Sequence, residues 1–298
     1  DVMPFTEASR ELLKKYKVDY RPQADPEEEF PEAAHETPPS YGGPFIPASI
    51  TLRDYQLEGI QNWFRNNGKG IFRFATGTGK TITALGAAAS LYNKSHLEAL
   101  IIVCPFKHLV SQWAKEAKNF GLSPILAFES RGSWEEMLTI ALLSHDTDKN
   151  SFISVITTNK TFSESFQSKL PHFPKKTILI ADEVHNLGAR RLLLSLPESI
   201  PFRLALSATP ERWYDPEGTE ALFRYFGPVL EPQIGLKDAI RMGVLTPYRY
   251  YPILVELTPE EGDEYLKLSE KIARLMITTK DEDDGNPQLT ALLTKRSR

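Results

Sequence analysis

The chain has 298 residues, of which 41% are hydrophobic and 25% are charged, which is typical of a globular protein with a sizeable core. Its net charge of −4 excludes a polycation, although one basic face remains compatible with a nucleic-acid partner. The single cysteine, Cys104, excludes an intrachain disulfide, and the apolar runs are too short for a transmembrane helix, so we expect no membrane partner.

The first 49 residues differ in composition from the rest of the chain. Residues 6–16 have the apolar spacing of an amphipathic helix, and we assign residues 1–20 to an N-terminal helical segment. Residues 21–49 contain seven prolines, which remove backbone donors and block helix formation, so a Pro/Glu-rich linker is predicted there. Because the chain begins at Asp1 and ends within a predicted helix, we expect a fragment of a longer protein.

A helix is predicted from Thr51, whose side chain can cap it, to the sequence NNG at 66–68, which ends it. Six short apolar runs follow, at residues 70–75, 99–104, 124–128, 152–157, 177–181 and 203–207. Helical patterns separate most of them, at 81–92, 109–120 and 134–144, the last opened by a Ser133/Glu136 capping box. Apolar strands that alternate with helices predict an α/β fold with a parallel sheet covered on both faces.

Beyond Pro228 this alternation weakens. A short helix at 236–242, a strand at 248–257, a helix from Thr258 and a last helix near Leu289 are predicted. We therefore place a domain at 50–228 and assign 229–298 to a connector and an incomplete C-terminal segment.

The sequence ATGTGKT, residues 75–81, lies between a predicted strand and a predicted helix. Glycines let a loop close around a phosphate, and the helix N-terminus adds backbone N–H groups and its dipole. Lys80 would reach the β and γ phosphates of a nucleotide, and Thr81 would ligate Mg²⁺. The common form of this motif has glycine where this chain has Phe74, and the variant A-x-x-G-x-G-K-T is closer.

The run TILIADEVH delivers two carboxylates at the C-terminal end of a strand, where open α/β sheets bind ligands. Asp182 would hold Mg²⁺ through water, and Glu183 would polarise the water that attacks the γ-phosphate. An acidic loop after a buried strand is the alternative for this run taken alone, and the pairing with residues 75–81 favours the catalytic interpretation.

Taken in order, these motifs resemble the first RecA-like motor domain of a superfamily 2 helicase or translocase of the DExH type. ATGTGKT is similar to motif I, DEVH to motif II, SATP at 207–210 to motif III, and LRDYQLEGI at 52–60 to the Q motif. CPFKHLVSQW at 104–113 and TTNKTF at 157–162 stand where motifs Ia and Ib belong. The resemblance covers residues 50 to about 255 and implies a RecA-like P-loop fold that uses ATP and Mg²⁺.

The resemblance implies roles for individual residues. ATP would be bound by Arg53, Gln56, Thr76, Gly77, Thr78, Gly79, Lys80 and Thr81. Catalysis would use Lys80, Asp182, Glu183 and His185, and the coupling of motif III would use Ser207, Ala208 and Thr209. A glutamine carboxamide both donates and accepts, so Gln56 suits an adenine edge, whereas Tyr55, Trp113 and Trp213 are interpreted as packing residues.

Nucleic-acid contacts are expected from Pro105, Lys107, Thr158 and Lys160, on the same edge of the sheet as the nucleotide site. Such contacts go to phosphates and carry no sequence information. The motifs look more like those of restriction-enzyme motor subunits and transcription or repair translocases than those of DEAD-box RNA helicases. Double-stranded DNA is therefore the first expectation, with RNA, or a regulatory ATP-binding switch without motor activity, as alternatives. A cytoplasmic or nucleoid-associated protein is expected.

In this superfamily ATP lies between two RecA-like domains, and arginines of the second stabilise the transferred phosphoryl group. Motif VI of the family has the pattern Q-x-x-x-R-x-x-R. None of the candidate arginines after motif III lies in such a pattern; they are Arg224, Arg241, Arg249, Arg274, Arg296 and Arg298. The resemblance therefore implies a partner domain of the same polypeptide that is missing here, and a chain that hydrolyses ATP hardly at all alone.

Overall fold

The computed structural model describes residues 42–147, 151–188, 190–212, 215–249, 258–278 and 287–296. The predicted helical segment at 1–20, the linker before residue 42, Trp213 and the predicted strand from residue 250 onward lie outside these residues. The chain divides into two compact units, the first ending at Leu245 and the second comprising 246–298 together with 189–191.

The first unit is built on a seven-stranded parallel sheet in the order β3-β4-β2-β5-β6-β1-β7. The strands are β1 (Lys69–Phe74), β2 (Ala99–Cys104), β3 (Ile125–Ala127), β4 (Ile153–Thr158), β5 (Thr177–Ala181), β6 (Phe202–Ser207) and β7 (Val229–Ile234). Every residue of β2, β4 and β5 is buried, as expected for strands with helices on both faces. The predicted α/β architecture and six of its strands are confirmed.

The seventh strand was not predicted, because VLEPQI carries glutamate, proline and glutamine instead of a continuous apolar run. It lies at the edge of the sheet, where proline is tolerated. It pairs with β1, with Ile71 opposite Val229 and Phe74 opposite Ile234. The sheet therefore extends beyond residue 228, where the sequence had placed a boundary.

Ten α-helices occur in the part of the chain that the structure describes. They are α1 (Asp54–Arg65), α2 (Lys80–Ser95), α3 (Lys107–Asn119), α4 (Glu135–Thr147), α5 (Asn159–Ser163), α6 (Arg190–Leu194), α7 (Pro216–Phe226), α8 (Leu236–Arg241), α9 (Pro259–Thr278) and α10 (Pro287–Arg296). Short 3₁₀ turns occur at Arg131–Ser133, Gln167–His172 and Val184–Leu187.

Two predicted helix starts were wrong. Thr51 does not cap α1, which begins at Asp54, and the side chain of Gln56 accepts the backbone N–H of Arg53 instead, at 2.8 Å. Ser133 lies in a 3₁₀ turn, where its hydroxyl donates to the carbonyl of Ser130, and α4 begins two residues later. In both cases a local hydrogen bond of another kind satisfies the backbone.

All seven strands run in the same direction, so their C-terminal ends lie along one edge of the sheet. The loops that leave β1, β2, β4, β5 and β6 there carry the predicted motifs I, Ia, Ib, II and III. The apolar core beneath them includes the fully buried rings of Phe72, Trp113 and Phe120. The fold thus brings motifs that are far apart in sequence to one edge.

The second unit is described over α9 and α10. The ammonium of Lys295 lies 2.9 Å from the carboxylate of Glu264, and the guanidinium of Arg296 lies over the ring of Tyr265 at 5.7 Å from its centroid. In the ranges that the structure describes, neither unit contains a helix with the length and apolar character needed to cross a membrane.

Candidate functional site

The loop from Ala75 to Gly79 depends on its two glycines. Gly77 and Gly79 both have φ of +83°, a conformation that other residues adopt only with strain. A Cβ atom at Gly77 would lie 2.8 Å from a methyl carbon of Leu245, and one at Gly79 would lie 2.8 Å from Nε2 of Gln56. The hydroxyl of Thr78 closes the turn by donating to the carbonyl of Ala75 at 2.6 Å. A side chain at either position would therefore have a strained backbone and would displace the neighbouring side-chain end.

Lys80, the first residue of α2, lies between this loop and the end of β5. Its Nζ donates to the carbonyl of Phe74 at 3.3 Å and lies 3.6 Å from Oε1 of Glu183. Only 10% of the Lys80 side chain is exposed, so its charge is directed into the site. Thr81 follows as the second residue of α2 and is half-buried.

The side chains of α1 support the loop from below. The hydroxyl of Tyr55 donates to the carbonyl of Thr78 at 2.6 Å, and its ring packs edge-on against Phe74. Gln56 is buried, and its Nε2 donates to the carbonyls of Thr78 and Gly79 at 3.4 and 3.3 Å. Arg53 and Thr76 are exposed. Tyr55 is thus a packing residue that also fixes the loop.

Asp182 is the first residue after β5 and is only 8% exposed. Its Oδ2 accepts the indole N–H of Trp113 at 2.8 Å, and its Oδ1 accepts the backbone N–H of Glu183 at 3.0 Å. Burial raises the pKa of the Asp182 carboxyl, while the hydrogen bond from Trp113 acts in the opposite direction. The sequence treated Trp113 as a packing residue and missed this contact, since nothing in a linear pattern pairs residues so far apart.

Glu183 has a backbone conformation that is uncommon for residues other than glycine, with φ of +45° and ψ of +58°. This turn directs the chain from β5 into the 3₁₀ turn Val184–Leu187. Its carboxylate lies 3.6 Å from Lys80 on one side and 3.6 Å from Nδ1 of His185 on the other. Glu183 therefore stands at the centre of the charged groups of the site.

The motifs II and III meet through His185. Its Nδ1 lies 3.1 Å from the hydroxyl of Ser207, at the end of β6, and that hydroxyl accepts the backbone N–H of Thr209 at 3.1 Å. Ser207 is fully buried, Ala208 is half-buried and Thr209 is exposed. The predicted residues of the two motifs thus form one hydrogen-bonded chain.

Arg212 was missed by the sequence analysis, which considered only arginines further along the chain. It donates to the backbone carbonyl of His185 and, at 2.7 Å, to the carboxylate of Asp215, and it lies against Gly188. Asp215 also accepts the backbone N–H of Gly218 at the start of α7, and these bonds lower the pKa of its carboxyl. Arg212 therefore connects motif II to the N-terminus of α7. An arginine two residues after SATP, followed by an aspartate, was the available signal.

The residues predicted to contact nucleic acid lie at the ends of the adjacent strands β2 and β4. Lys107 is exposed and lies 3.3 Å from the carboxylate of Glu129. Thr158 is buried, and its hydroxyl accepts the N–H of Thr161, so it caps α5. Pro105 is half-buried and Lys160 is exposed. They are neighbours, but Thr158 already has a local structural role.

In the described part of the chain, no group of three or more histidine, cysteine, aspartate or glutamate side chains could hold a metal ion. Mg²⁺ is usually held by one or two carboxylates together with substrate phosphates, and Asp182 and Thr81 offer such a partial set. The glycine loop and the inward Lys80 fit the phosphates that would complete it. The residues present therefore suit a magnesium nucleotide.

Comparisons with known proteins point the same way. The model of a family described as the type III restriction enzyme, res subunit, matches residues 49–212. The DNA 3'-5' translocase XPB2 of Sulfurisphaera tokodaii is 28% identical over 235 residues, which cover 77% of this chain and 46% of that protein. The chain thus spans less than half the length of this curated relative.

Two solved structures share the fold. The type ISP restriction-modification enzyme LlaGI, solved as a nuclease-deletion mutant with a DNA substrate mimic, is similar with a TM-score of 0.52 and 18% identity, covering 78% of this chain and 23% of that one. The Hef helicase domain of Pyrococcus furiosus is similar with a TM-score of 0.50 and 17% identity, covering 75% of this chain and 46% of that one. At this identity they establish the RecA-like fold and no more.

Proposed function

Since the chain belongs to the family described as the type III restriction enzyme, res subunit, we propose that it is the ATP-binding half of a DNA-directed motor, either a helicase or a translocase on duplex DNA. The observation that carries the proposal is the convergence of Lys80, Asp182 and Glu183 at one sheet edge, around a loop with two glycines at positive φ. Similarity to XPB2, a DNA translocase, favours DNA over RNA.

At the phosphate end, the N–H groups at the start of α2 and the ammonium of Lys80 bind the β and γ phosphates. Thr81 and Asp182 would hold Mg²⁺, which would supply positive charge to neutralise the phosphate oxygens. Gly77, Thr78 and Gly79 shape the loop, and the exposed Thr76 lies at its outer side.

At the catalytic centre, Glu183 orients the attacking water and accepts its proton. Its position supports this role, because contacts of 3.6 Å to Lys80 and to Nδ1 of His185 hold its carboxylate at the centre of the site. The chain from His185 through Ser207 to Thr209 would report the γ-phosphate to the end of β6, with Ala208 as the intervening residue.

At the base end, Arg53 and Gln56 contact adenine. The carboxamide of Gln56 donates to loop carbonyls at 3.3 and 3.4 Å, which is long for a hydrogen bond. These weak contacts of Nε2 are readily exchanged for an adenine edge, while Oε1 keeps its 2.8 Å bond from the backbone N–H of Arg53. Because the same carboxamide contacts the loop, binding of a base would change its contact with the carbonyl of Gly79.

Along the nucleic-acid edge, a DNA backbone is contacted by Pro105, Lys107, Thr158 and Lys160. The hydroxyl of Thr158 keeps its role as the cap of α5. Contacts of this kind predict sequence-tolerant binding that weakens steeply with salt. The protein would work on DNA in the cytoplasm or nucleoid.

Turnover belongs to the longer protein in this proposal. A second RecA-like domain would supply arginines worth about 10³–10⁵ in rate where an arginine finger is used, so the 298-residue chain alone should hydrolyse ATP slowly.

The test compares ATP hydrolysis by the 298-residue chain and by a chain extended through the second domain, each with duplex DNA, single-stranded DNA and RNA. We expect that only the extended chain hydrolyses ATP at a substantial rate and that duplex DNA stimulates this hydrolysis most. Stimulation by RNA only would overturn the DNA assignment. Strong stimulated hydrolysis by the short chain would overturn the need for a second domain.

A further inference from the structure

The indole of Trp113 points its N–H at a carboxylate in the middle of the candidate site. Trp113 lies on α3, is 1% exposed, and its Nε1 lies 2.8 Å from Oδ2 of Asp182, a residue 69 positions further along the chain. A hydrogen bond to an ionised acceptor is shorter and stronger than one between neutral groups. The contact is therefore more than a consequence of packing a large ring.

The indole N–H groups of the other buried tryptophans that the structure describes have different surroundings. The indole of Trp63 donates to a neutral acceptor, the backbone carbonyl of Arg203, at 3.1 Å. The indole nitrogen of Trp134 has no hydrogen-bond partner within the described residues. All three rings are almost fully buried, so they differ in what the N–H contacts and not in how well the ring packs.

Two donors together fix the Asp182 carboxylate in one rotational position. Oδ2 accepts from Trp113, and Oδ1 accepts the backbone N–H of Glu183. Each carboxylate oxygen has two lone pairs, so one on each oxygen remains for a metal-bound water. Partners of this kind, behind a metal ligand, set its orientation and hence its affinity for the ion.

We propose that Trp113 is a positioning residue that orients Asp182 for Mg²⁺. Its loss should lower the affinity of the nucleotide-bound site for Mg²⁺ and leave metal-free nucleotide binding unchanged. The inference rests on the proposed function, since it assumes that this site binds a magnesium nucleotide.

The test is the substitution Trp113→Phe, which keeps a flat ring and removes the donor. The 298-residue chain is titrated with N-methylanthraniloyl-ATP, first in EDTA and then with increasing Mg²⁺, and binding is followed by fluorescence anisotropy. We expect equal binding in EDTA and a Mg²⁺ concentration for half-effect that is about 10- to 100-fold higher in the variant.

Trp63→Phe and Trp134→Phe are the matched controls. Each removes one buried indole, the first with the loss of a hydrogen bond and the second without, and neither indole nitrogen bonds to Asp182. Both should show the magnesium dependence of the unmutated chain. If the Mg²⁺ concentration for half-effect rose equally in Trp63→Phe and Trp113→Phe, the cause would be general destabilisation, and the inference would be wrong.

A second measurement uses the unmutated chain, in case a variant folds poorly. Indole N–H signals in a ¹H–¹⁵N spectrum, assigned by through-bond experiments on the unmutated chain, are followed as Mg²⁺ is added to the ADP-bound protein. The Trp113 signal should move most. If nucleotide binds with magnesium dependence but the Trp113 signal and the Trp113→Phe titration do not change, the inference is wrong. If the unmutated chain binds no nucleotide with or without Mg²⁺, the proposed function itself fails, and the inference fails with it.

Discussion

Two lysine–glutamate pairs lie along the same edge of the sheet in different surroundings. In the proposed nucleotide region, Lys80 and Glu183 lie 3.6 Å apart with 10% and 28% of their side chains exposed. In the proposed nucleic-acid region, Lys107 and Glu129 lie 3.3 Å apart with 65% and 60% exposed. The two separations are similar, so the difference between the pairs comes from burial and from their neighbours.

The exposed pair is worth little to stability, because water and salt screen it, and its lysine is free to exchange a carboxylate for a phosphate. The partly buried pair has further contacts, because Lys80 donates to the carbonyl of Phe74 and the carboxylate of Glu183 lies 3.6 Å from Nδ1 of His185. A preorganised site suits chemistry on one small ligand, whereas an exposed, exchangeable cation suits a backbone that must slide past. The following predictions test this contrast.

The largest effect is expected from the matched substitutions Glu183→Gln and Glu129→Gln. Glu183→Gln keeps the shape and removes the water-orienting charge, so ATP hydrolysis by the extended protein should fall by about 10²–10⁴-fold with nucleotide binding retained. Glu129→Gln makes the same chemical change at the exposed pair and should leave nucleic-acid-independent hydrolysis unchanged. Steady-state hydrolysis rates check both, and a Glu183→Gln rate equal to the unmutated one would refute the role of Glu183.

The next effect concerns the exposed lysines. The double substitution of Lys107 and Lys160 by alanine should weaken DNA binding and reduce the slope of log affinity against log salt by up to about 2, since each phosphate contact contributes about 0.9. Fluorescence anisotropy with labelled duplex DNA, from low to high salt, measures the slope. ATP affinity should not change. A slope identical to that of the unmutated chain would show that these lysines do not track the backbone.

A smaller effect is expected from Gly79→Ala, which tests the rigidity of the nucleotide region. Alanine at φ of +83° should cost about 1–2 kcal/mol of unfolding free energy, with the further contact to Gln56 at 2.8 Å. Gly132→Ala is the matched control in an exposed turn, where a Cβ atom meets nothing within 4 Å. Urea unfolding compares the two. Equal stability of both variants would mean that the loop relaxes freely.

The smallest effect is pH-dependent and concerns Asp215, which holds Arg212 against motif II. The pKa of its carboxyl is lowered by the backbone N–H of Gly218 and by Arg212, so its stabilisation is complete above the unfolded pKa of about 3.9 and is lost as pH falls through the lower folded value. Asp215→Asn keeps a capping side chain and removes this dependence.

We therefore expect Asp215→Asn to be less stable than the unmutated chain at pH 6, by no more than about 1 kcal/mol, with the gap narrowing as the pH falls below 4. Urea unfolding over that pH range checks this expectation. A gap that stays constant down to pH 3 would show that the Asp215 carboxylate is not the group responsible.

The parts of the fold that the sequence could predict are those with a strong local signal. The runs of β2, β4 and β5 are buried throughout and rich in isoleucine, leucine and valine, and the phosphate-type loop needs glycine at two positions of positive φ. β7 gave no such signal, because an edge strand needs little apolar character and tolerates proline. Its place in the sheet is decided by pairing with β1.

The site shows the same division. Lys80, Asp182 and Glu183 could be found from spacing, because each motif is local. The bond from Trp113 to Asp182 and that from Arg212 to the carbonyl of His185 join residues from different motifs, and only the packing of α3 and the loop after β6 brings them together. The cap of α1 was also misassigned, because Gln56, predicted as a base-reading residue, accepts the N–H of Arg53 at 2.8 Å.

The central claim is that the buried lysine, and not the exposed one, binds the nucleotide phosphates. Its most direct test is the affinity of the 298-residue chain for N-methylanthraniloyl-ATP with Mg²⁺, compared between Lys80→Ala and Lys107→Ala. A charge-assisted bond worth about 1.5–3 kcal/mol predicts a loss of roughly 10- to 100-fold for Lys80→Ala and no loss for Lys107→Ala. Equal affinities of the two variants, whether both high or both low, would contradict the claim.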